Sequence, residues 1–576
     1  MSKPNTGVPH QMPGSIVLPD TSLWFNLEVT ARRFPEKTAL HCHGHTISYA
    51  RLLARASAIA GWLTHDAGIG KGDRVALYMQ NCPQFIMAYY AILRAGAVVV
   101  PVNPMNKADE LRHYLADSGA RVVICASDTF DVGLLSDPAL ASSLRHVLVT
   151  GYQDELLVPD GSAVPAPLPS WMTADTPVPS WAATLVTRWT DAVTAARVPP
   201  AQDAGPDDMA VLPYTSGTTG APKGCIHTHR SVMHNAIGNS VWSACRADSV
   251  VLSVLPLFHV SGMQHGMNMP IYCGATIVML PRWDREAAAK LIARHGVTHW
   301  MGNPTMVIDL LASPQLDQVD LGSLQHIGGG GAPMPQAVAE RLTRQFGLHY
   351  LEGYGLSETM AATHNNPQHR PKQQCLGLPT FNTEAKVIDP ATRSILAAGE
   401  TGEIVVSGPQ LFKGYWGNTE ATRDAFIDIA GRMYFRTGDL GTIDADGYYF
   451  LTDRLKRMIN VSGFKVWPAE IETLLYRHPA VQDACVIGAR DPYRGETVKA
   501  IIVLRDGAEA TAETIIDWAR QNMAAYKYPR VVEFVDALPR SAAGKVLWRQ
   551  LQDRENALAR DTAAPTNGPI RTEAPQ

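Results

Sequence analysis

The chain lacks the features that a membrane span, a secreted disulfide scaffold or a nucleic-acid binder would need. No uncharged apolar run reaches the roughly 18 residues of a spanning helix, which speaks against integral membrane association. No long basic run occurs and the formal net charge is −4 over 576 residues, so nothing marks a nucleic-acid footprint. The eight cysteines (Cys42, Cys82, Cys125, Cys225, Cys245, Cys273, Cys375 and Cys485) stand singly, without C-x-x-C spacing. They read as buried thiols in a reducing compartment rather than as bridges or zinc ligands. The segment 1–17 is polar with Pro4, Pro9 and Pro13 where a secretory signal would be basic and then apolar, so the cytoplasm is the expected location. A histidine-rich stretch, His41-Cys42-His43-Gly44-His45, places its side chains at alternate positions, hence on both faces of a strand or hairpin, and is not taken as a metal site.

What is present is an ordinary globular composition, 46% hydrophobic and 18% charged, in a chain long enough for about three to four compact units. Apolar residues at Tyr49, Leu52, Leu53, Ala56, Ile59 and Leu63 follow helical spacing. Strand-like Val75 to Met79, Ala97 to Val102 and Val122 to Ala126 then alternate with helix-like Phe85 to Leu93 and Asp109 to Ala116. Such alternation predicts a mostly parallel α/β sheet covered on both faces. The Pro-, Ala-, Ser- and Trp-rich stretch 152–206 reads as a variable surface excursion, after which alternation resumes through Val250 to Leu255, Ala275 to Leu280 and helices over Ala287 to Arg294 and Met306 to Leu311. From about 377 short strands and turns predict a β-rich subdomain, and after Asp453 a compact α+β module begins. The expected division is an N-terminal extension 1–22, a large domain 23–452 of two parallel-sheet α/β subdomains plus the β-rich one, a hinge 453–456, a small mobile α+β domain 457–560 and a disordered tail 561–576.

The densest chemistry lies in Tyr214-Thr215-Ser216-Gly217-Thr218-Thr219-Gly220-Ala221-Pro222-Lys223-Gly224. Glycines bring backbone N–H groups close to an anion, hydroxyls donate from the side and a lysine adds fixed positive charge, which together suit a polyphosphate. The spacing is not that of a P-loop, since Pro222 precedes the lysine and hydroxyls are more numerous. Further along come Tyr354-Gly355-Leu356-Ser357-Glu358-Thr359, Thr437-Gly438-Asp439, Asp453-Arg454-Leu455-Lys456 and Pro539-Arg540-Ser541-Ala542-Ala543-Gly544-Lys545.

In this order, from about residue 23 to 550, these segments resemble the adenylate-forming superfamily of acyl-CoA synthetases, peptide-synthetase adenylation domains and luciferases. The resemblance implies a large domain in three subdomains and a small domain that rotates between two half-reactions. It implies ATP, Mg²⁺ and CoA as cofactors and a small-molecule carboxylate as substrate, in a monomer or homodimer. Thr215, Ser216, Gly217, Thr218, Thr219, Gly220 and Lys223 would hold the β- and γ-phosphates. Glu358 would bind Mg²⁺, Thr359 would contact the α-phosphate with Ser357 beside it, Tyr354 would stack on adenine, and Asp439 and Arg454 would hold the ribose. Lys545 would be the mobile catalytic lysine, Lys456 the hinge residue and Gly463 the lining of the pantetheine passage. Asn460 stands where luciferases carry a lysine, which puts a luciferase-like oxidation in doubt.

The same resemblance aligns Phe258-His259-Val260-Ser261-Gly262 with an element that carries Asp in amino-acid-activating domains. With His259 there, an ammonium would lose its carboxylate partner, at a cost of several kcal/mol for a buried unpaired charge. An α-amino acid is therefore not expected. No carrier-protein serine segment follows Lys545, which favours a free-standing AMP-forming CoA ligase over an adenylase serving a separate carrier protein; a non-catalytic nucleotide-binding protein of the same fold is the third reading. The acyl pocket is expected between His259 to Gly262, Asn303 to Met306 and the glycine run Gly328 to Gly331. That run would leave room for a medium-to-long fatty or aryl-alkyl acid, and the absence of arginine from these segments disfavours a dicarboxylate. Fatty-acid and lipid metabolism is the expected setting.

Overall fold

The computed structural model describes residues 13–156, 168–173, 176–215, 222–316, 319–454, 457–461, 464–491, 495–541 and 545–561. Two large sheets carry the first two-thirds of the chain. One has seven strands, ordered Val186–Arg188, His146–Thr150, Val122–Ala126, Arg74–Tyr78, Val98–Val102, Met209–Val211 and His227–Thr228, all parallel except the last pair. Its central strands are continuous apolar runs because both faces are covered. The other has nine strands. A parallel centre, from Tyr350–Leu356 through His326–Gly329, His299–Met301, Val250–Ser253 and Thr276–Met279 to Thr38–Cys42, is closed by antiparallel strands at both edges.

Helix Pro83–Arg94 is buried at every position from Pro83 to Leu93, and helix Tyr49–His65 packs on it. Helix His229–Trp242 is also almost wholly buried although His234, Asn235 and Asn239 lie on it. A helix enclosed on all sides has no polar face to display, so its sequence carries little helical periodicity.

An antiparallel β-rich unit follows, built from Glu384–Ile388, Gly402–Ser407, Phe426–Ile429, Arg432–Ile443 and Tyr449–Arg454. The C-terminal module pairs Val481–Asp491 with Gly495–Leu504 and adds short strands Ile459–Val461 and Val531–Phe534 along the other edge of Gly495–Leu504, with helices Pro468–Leu475, Ala512–Asn522 and Trp548–Asp561. The α/β class with a β-rich subdomain and an α+β C-terminal module is thus as expected. Among the described residues no helix is long and apolar enough to cross a membrane.

Two expectations, for 152–206 and for the start of the tail, need correcting. Part of the stretch 152–206 is structural: Val186–Arg188 extends the seven-stranded sheet, and the fully buried Trp189 donates its indole N–H to Glu155 at 3.0 Å. Within the expected N-terminal extension the Ile16 backbone and the Asn382 amide exchange two hydrogen bonds of 2.9 and 3.0 Å. Asp561 ends helix Trp548–Asp561 instead of starting a tail, and 562–576 lie outside the described residues. The His41 to His45 stretch is a hairpin, with His43 and Gly44 at positive φ in its turn.

Candidate active site

A cavity of about 530 Å³ opens where the C-terminal ends of the two parallel sheets face each other. Each strand end contributes its following loop: Asn103 after Val98–Val102, Pro256 to His259 after Val250–Ser253, Trp283 after Thr276–Met279, Asn303 after His299–Met301 and Gly330 after His326–Gly329. Strand ends are where open α/β sheets bind ligands, because helix N-termini and loops converge there. One wall is stiff: Trp283 stacks on the buried Trp300, centroids 5.6 Å apart and planes within 7°, and donates its N–H to Asp309 at 2.8 Å.

The glycine run lines this cavity but does less to widen it than expected. A Cβ on Gly329 would lie 2.0 Å from the Gly302 carbonyl oxygen, and one on Gly330 2.3 Å from that of Gly353. These glycines let neighbouring backbones approach each other. Only Gly331, at φ +92°, has its bare side toward the cavity contents, where the Lys545 Cε is the nearest atom at 3.4 Å.

Lys545 belongs to the C-terminal module yet lines the cavity of the large domain. Ser541 N donates to the Lys545 carbonyl at 2.8 Å and Lys545 N donates to the Ser541 hydroxyl at 3.2 Å. His259 faces it across the cavity. That imidazole is pushed down to about 4, first by burial and then by the Lys545 charge, so it is neutral near pH 7. Its Nδ1 accepts the Ser261 N–H at 3.3 Å as the cap of helix Val260–Met263.

The segment Tyr354 to Thr359 runs from the end of strand Tyr350–Leu356 into a short helical turn beside the cavity. Past Thr359 the backbone enters the left-handed region at Met360 (φ 47°) and Ala361 (φ 81°), conformations that need outside support in non-glycine residues. Asn235 supplies it, donating to the Thr359 and Met360 carbonyls at 2.9 and 2.6 Å, while His227 Nε2 donates to the Ser357 carbonyl at 2.8 Å. The Thr359 hydroxyl is occupied closing this turn, accepting from Leu356 N at 2.9 Å and donating to the Ala361 carbonyl at 2.7 Å. Contact with a phosphate would require that arrangement to be exchanged.

Tyr354 packs against His364 with centroids 5.7 Å apart and donates its hydroxyl to Asp439 at 2.6 Å. Arg454 lies opposite Asp439 in the strand ladder. Glu358 accepts a hydrogen bond from the Tyr415 hydroxyl at 2.8 Å, and the Lys223 ammonium lies 4.7 Å from the Tyr415 ring centre. Lys223 N in turn donates to the Thr215 hydroxyl at 3.2 Å, closing the base of the loop. Thr215, Lys223, Tyr354, Ser357, Glu358, Thr359, Asp439, His259 and Lys545 therefore gather around one region. Ser216, Gly217, Thr218, Thr219, Gly220, Lys456 and Gly463 lie outside the described residues, as does the Arg454 side chain.

Sequence reasoning missed several lining residues. Gln80, His265 and Asn365 come from unremarkable segments, and only the folding of the strands brings them to the cavity. Arg282 also lines it, with its guanidinium 4.1 Å over the Trp171 ring; it lies outside the three segments expected to form the acyl pocket, which themselves carry no arginine.

Residues 27–416 match the AMP-binding enzyme family, and residues 470–545 match the AMP-binding enzyme C-terminal domain. The chain belongs to the AMP-binding enzyme family. As a member it is similar to the long-chain-fatty-acid–CoA ligase of Bacillus subtilis (strain 168), with 35% identity over 95% of this chain and 96% of that protein. It is 34% identical to a feruloyl-CoA synthase of Amycolatopsis sp, over 91% of this chain and 97% of that one. Among solved structures, ATP-bound MatB from Rhodopseudomonas palustris superposes with a TM-score of 0.82 at 29% identity, covering 94% of this chain and all of that one. The full-length coverage means that the AMP-binding domain and the C-terminal domain are both shared with these relatives.

Proposed function

We propose that this AMP-binding enzyme is an AMP-forming acyl-CoA ligase that acts on a medium-to-long fatty or aryl-alkyl carboxylic acid. The observation that carries the reading is Lys545, which reaches from the C-terminal module into the cavity beside Gly331 and opposite His259. A cationic group there suits two anions that must meet, a carboxylate and the α-phosphate of ATP. In the first half-reaction a carboxylate oxygen attacks the α-phosphorus, the bond to the bridging oxygen of the β-phosphate breaks and pyrophosphate leaves. In the second, the thiol sulfur of CoA attacks the acyl carbon of the mixed anhydride, AMP leaves and the thiol proton passes to solvent. Neither step requires a covalent enzyme intermediate, so positioning and charge neutralisation do the catalysis.

In this reading Thr215 and Lys223, with Ser216, Gly217, Thr218, Thr219 and Gly220 between them, hold the departing pyrophosphate. Tyr354 offers a ring to adenine while Asp439 and Arg454 take the ribose hydroxyls. The Glu358 carboxylate, one hydrogen bond from Tyr415, would be the protein group that holds a Mg²⁺ ion. When bound, Mg²⁺ neutralises phosphate charge. A neutral His259 gives no partner to a substrate ammonium, which supports non-amino acids. The protein is taken as a cytoplasmic monomer or homodimer, with Lys456 as the pivot and Gly463 on the pantetheine path. The names of the fatty-acid and feruloyl relatives support both acid classes.

The test is a panel of fatty, aryl-alkyl, dicarboxylic and amino acids, scored for pyrophosphate release with ATP and Mg²⁺ and for thioester formation with free CoA. Acyl-CoA from fatty or aryl-alkyl acids is expected. Turnover of amino acids alone, or release of pyrophosphate without any CoA thioester, would overturn the reading.

A further inference from the structure

Behind the large cavity lies a second chamber of about 20 Å³, room for a single water. His265, Met301 and Asn365 line both, so the three form a partition. The chamber lining mixes apolar side chains such as Val251, Met269 and Leu351 with polar ones such as Ser243 and His299. Within its lining, His326 Nδ1 and Asn239 Nδ2 are buried and lack a hydrogen-bond partner among the described residues. Buried polar atoms left in that state are destabilising unless water or a ligand satisfies them.

His265 is the partition's functional face. It sits on the π-helical turn Gln264–Asn268, six residues beyond His259. Among the described residues no group hydrogen-bonds its ring, and burial alone pushes it down to about 4. A neutral imidazole offers one donor and one acceptor, here with nothing among the described residues to take either. The electrostatics order the cavity along one axis: the Lys545 charge bears on His259, whereas His265 bears on His326 in the chamber behind. The carboxylate end is therefore at Lys545 and His259, and the floor is at His265. Between them Phe258, Trp283, Met301 and Met306 offer apolar surface for a hydrocarbon stem or ring.

We propose that His265 is a specificity residue that selects acids carrying a hydroxyl, phenolic or aliphatic, at the end remote from the carboxylate. This rests on the reading of the cavity as the acyl site. A methyl or unsubstituted ring edge at the floor would seal a neutral imidazole away from water without a partner, and a site built to hydrogen-bond a hydroxyl penalises the analogue that lacks one. The chamber water, held by His326 and Asn239, would support His265 from behind.

The test uses matched pairs with the full-length enzyme, ATP, Mg²⁺ and CoA: 3-phenylpropanoate against its para-hydroxy analogue, and dodecanoate against its ω-hydroxy analogue. The wild type should favour the hydroxylated member of at least one pair by about tenfold or more in kcat/KM. His265→Leu should bring that ratio to about one or below, and His265→Gln, which retains a donor and an acceptor, should restore part of it. Ratios within about twofold for both wild-type pairs, or a ratio unaltered in His265→Leu, would overturn the proposal. If His265→Leu does not fold, the wild-type ratios and His265→Gln decide it. Absence of any acid-dependent pyrophosphate release would instead defeat the ligase reading, so the two failures are distinct.

Discussion

The Tyr415 hydroxyl donates to the Glu358 carboxylate at 2.8 Å, and the opposite side of this contact is the Lys223 ammonium, 4.7 Å from the Tyr415 ring centre. One tyrosine thus couples the lysine that closes the phosphate loop to the carboxylate assigned to Mg²⁺. Tyr415→Phe keeps the ring and removes the orienting donor. The Mg²⁺ concentration for half-maximal pyrophosphate release should rise about tenfold, as for other outer-shell partners of a metal ligand. A melting curve should show a loss of only about 1 kcal/mol. An unchanged Mg²⁺ titration would remove Glu358 from the metal site.

Lys545→Ala should lower carboxylate-dependent pyrophosphate release by about 10²–10³-fold, the scale of removing one positioned charge from a transition state. ATP binding, measured by calorimetry, should be largely retained because the phosphate loop and Tyr354 are untouched. Unaltered turnover would assign the lysine a surface role.

Gly329→Ala separates packing from pocket shape. Its Cβ would fall 2.0 Å from the Gly302 oxygen and 2.5 Å from the Tyr350 hydroxyl, which itself donates to that oxygen. The expected result is a destabilisation of about 2–4 kcal/mol in denaturant unfolding. A shift in acyl-chain preference at wild-type stability would instead favour the pocket-widening role.

Acid should destabilise this fold over a defined window. Burial pushes His227, His229, His259 and His265 down to about 4 and His326 and His364 down to about 3, against an ordinary value of 6.5. Each is lower in the fold than in the unfolded chain, so the unfolded state binds more protons below pH 6.5. The stability is complete above 6.5 and is lost as pH falls toward 4. One buried histidine shifted this far accounts for roughly 3 kcal/mol at the acid end. Melting temperatures taken from pH 8 to pH 4.5 should be level down to about 6.5 and then drop steeply. A level profile down to pH 5 would show that the rings are hydrated.

Much of the fold was legible because periodicity reports burial. Val98–Val102 and Val122–Ala126 are continuous apolar runs that could only be buried strands. Helix His229–Trp242 escaped notice for the converse reason, since burial on every side leaves no alternation between faces. Val186–Arg188 was hidden in a stretch that looks like a linker, its three residues carrying no periodic signal.

The site divides in the same way. By itself the sequence pointed to the proposed nucleotide site, because gripping phosphate takes hydroxyls, glycines and a lysine close together in one loop, and Tyr354, Glu358, Asp439 and Lys545 follow in short segments of their own. Only the tertiary structure decided the cavity proposed as the acyl site. Its surface is made of single residues from separate strand ends, such as Asn103, His265, Arg282 and Asn365, each ordinary in its local context. It also decided what the glycine run does, since whether a missing side chain opens a pocket or admits a neighbouring backbone depends on what packs 2 Å away. Contacts of that kind depend on distance in space, and sequence separation does not encode them.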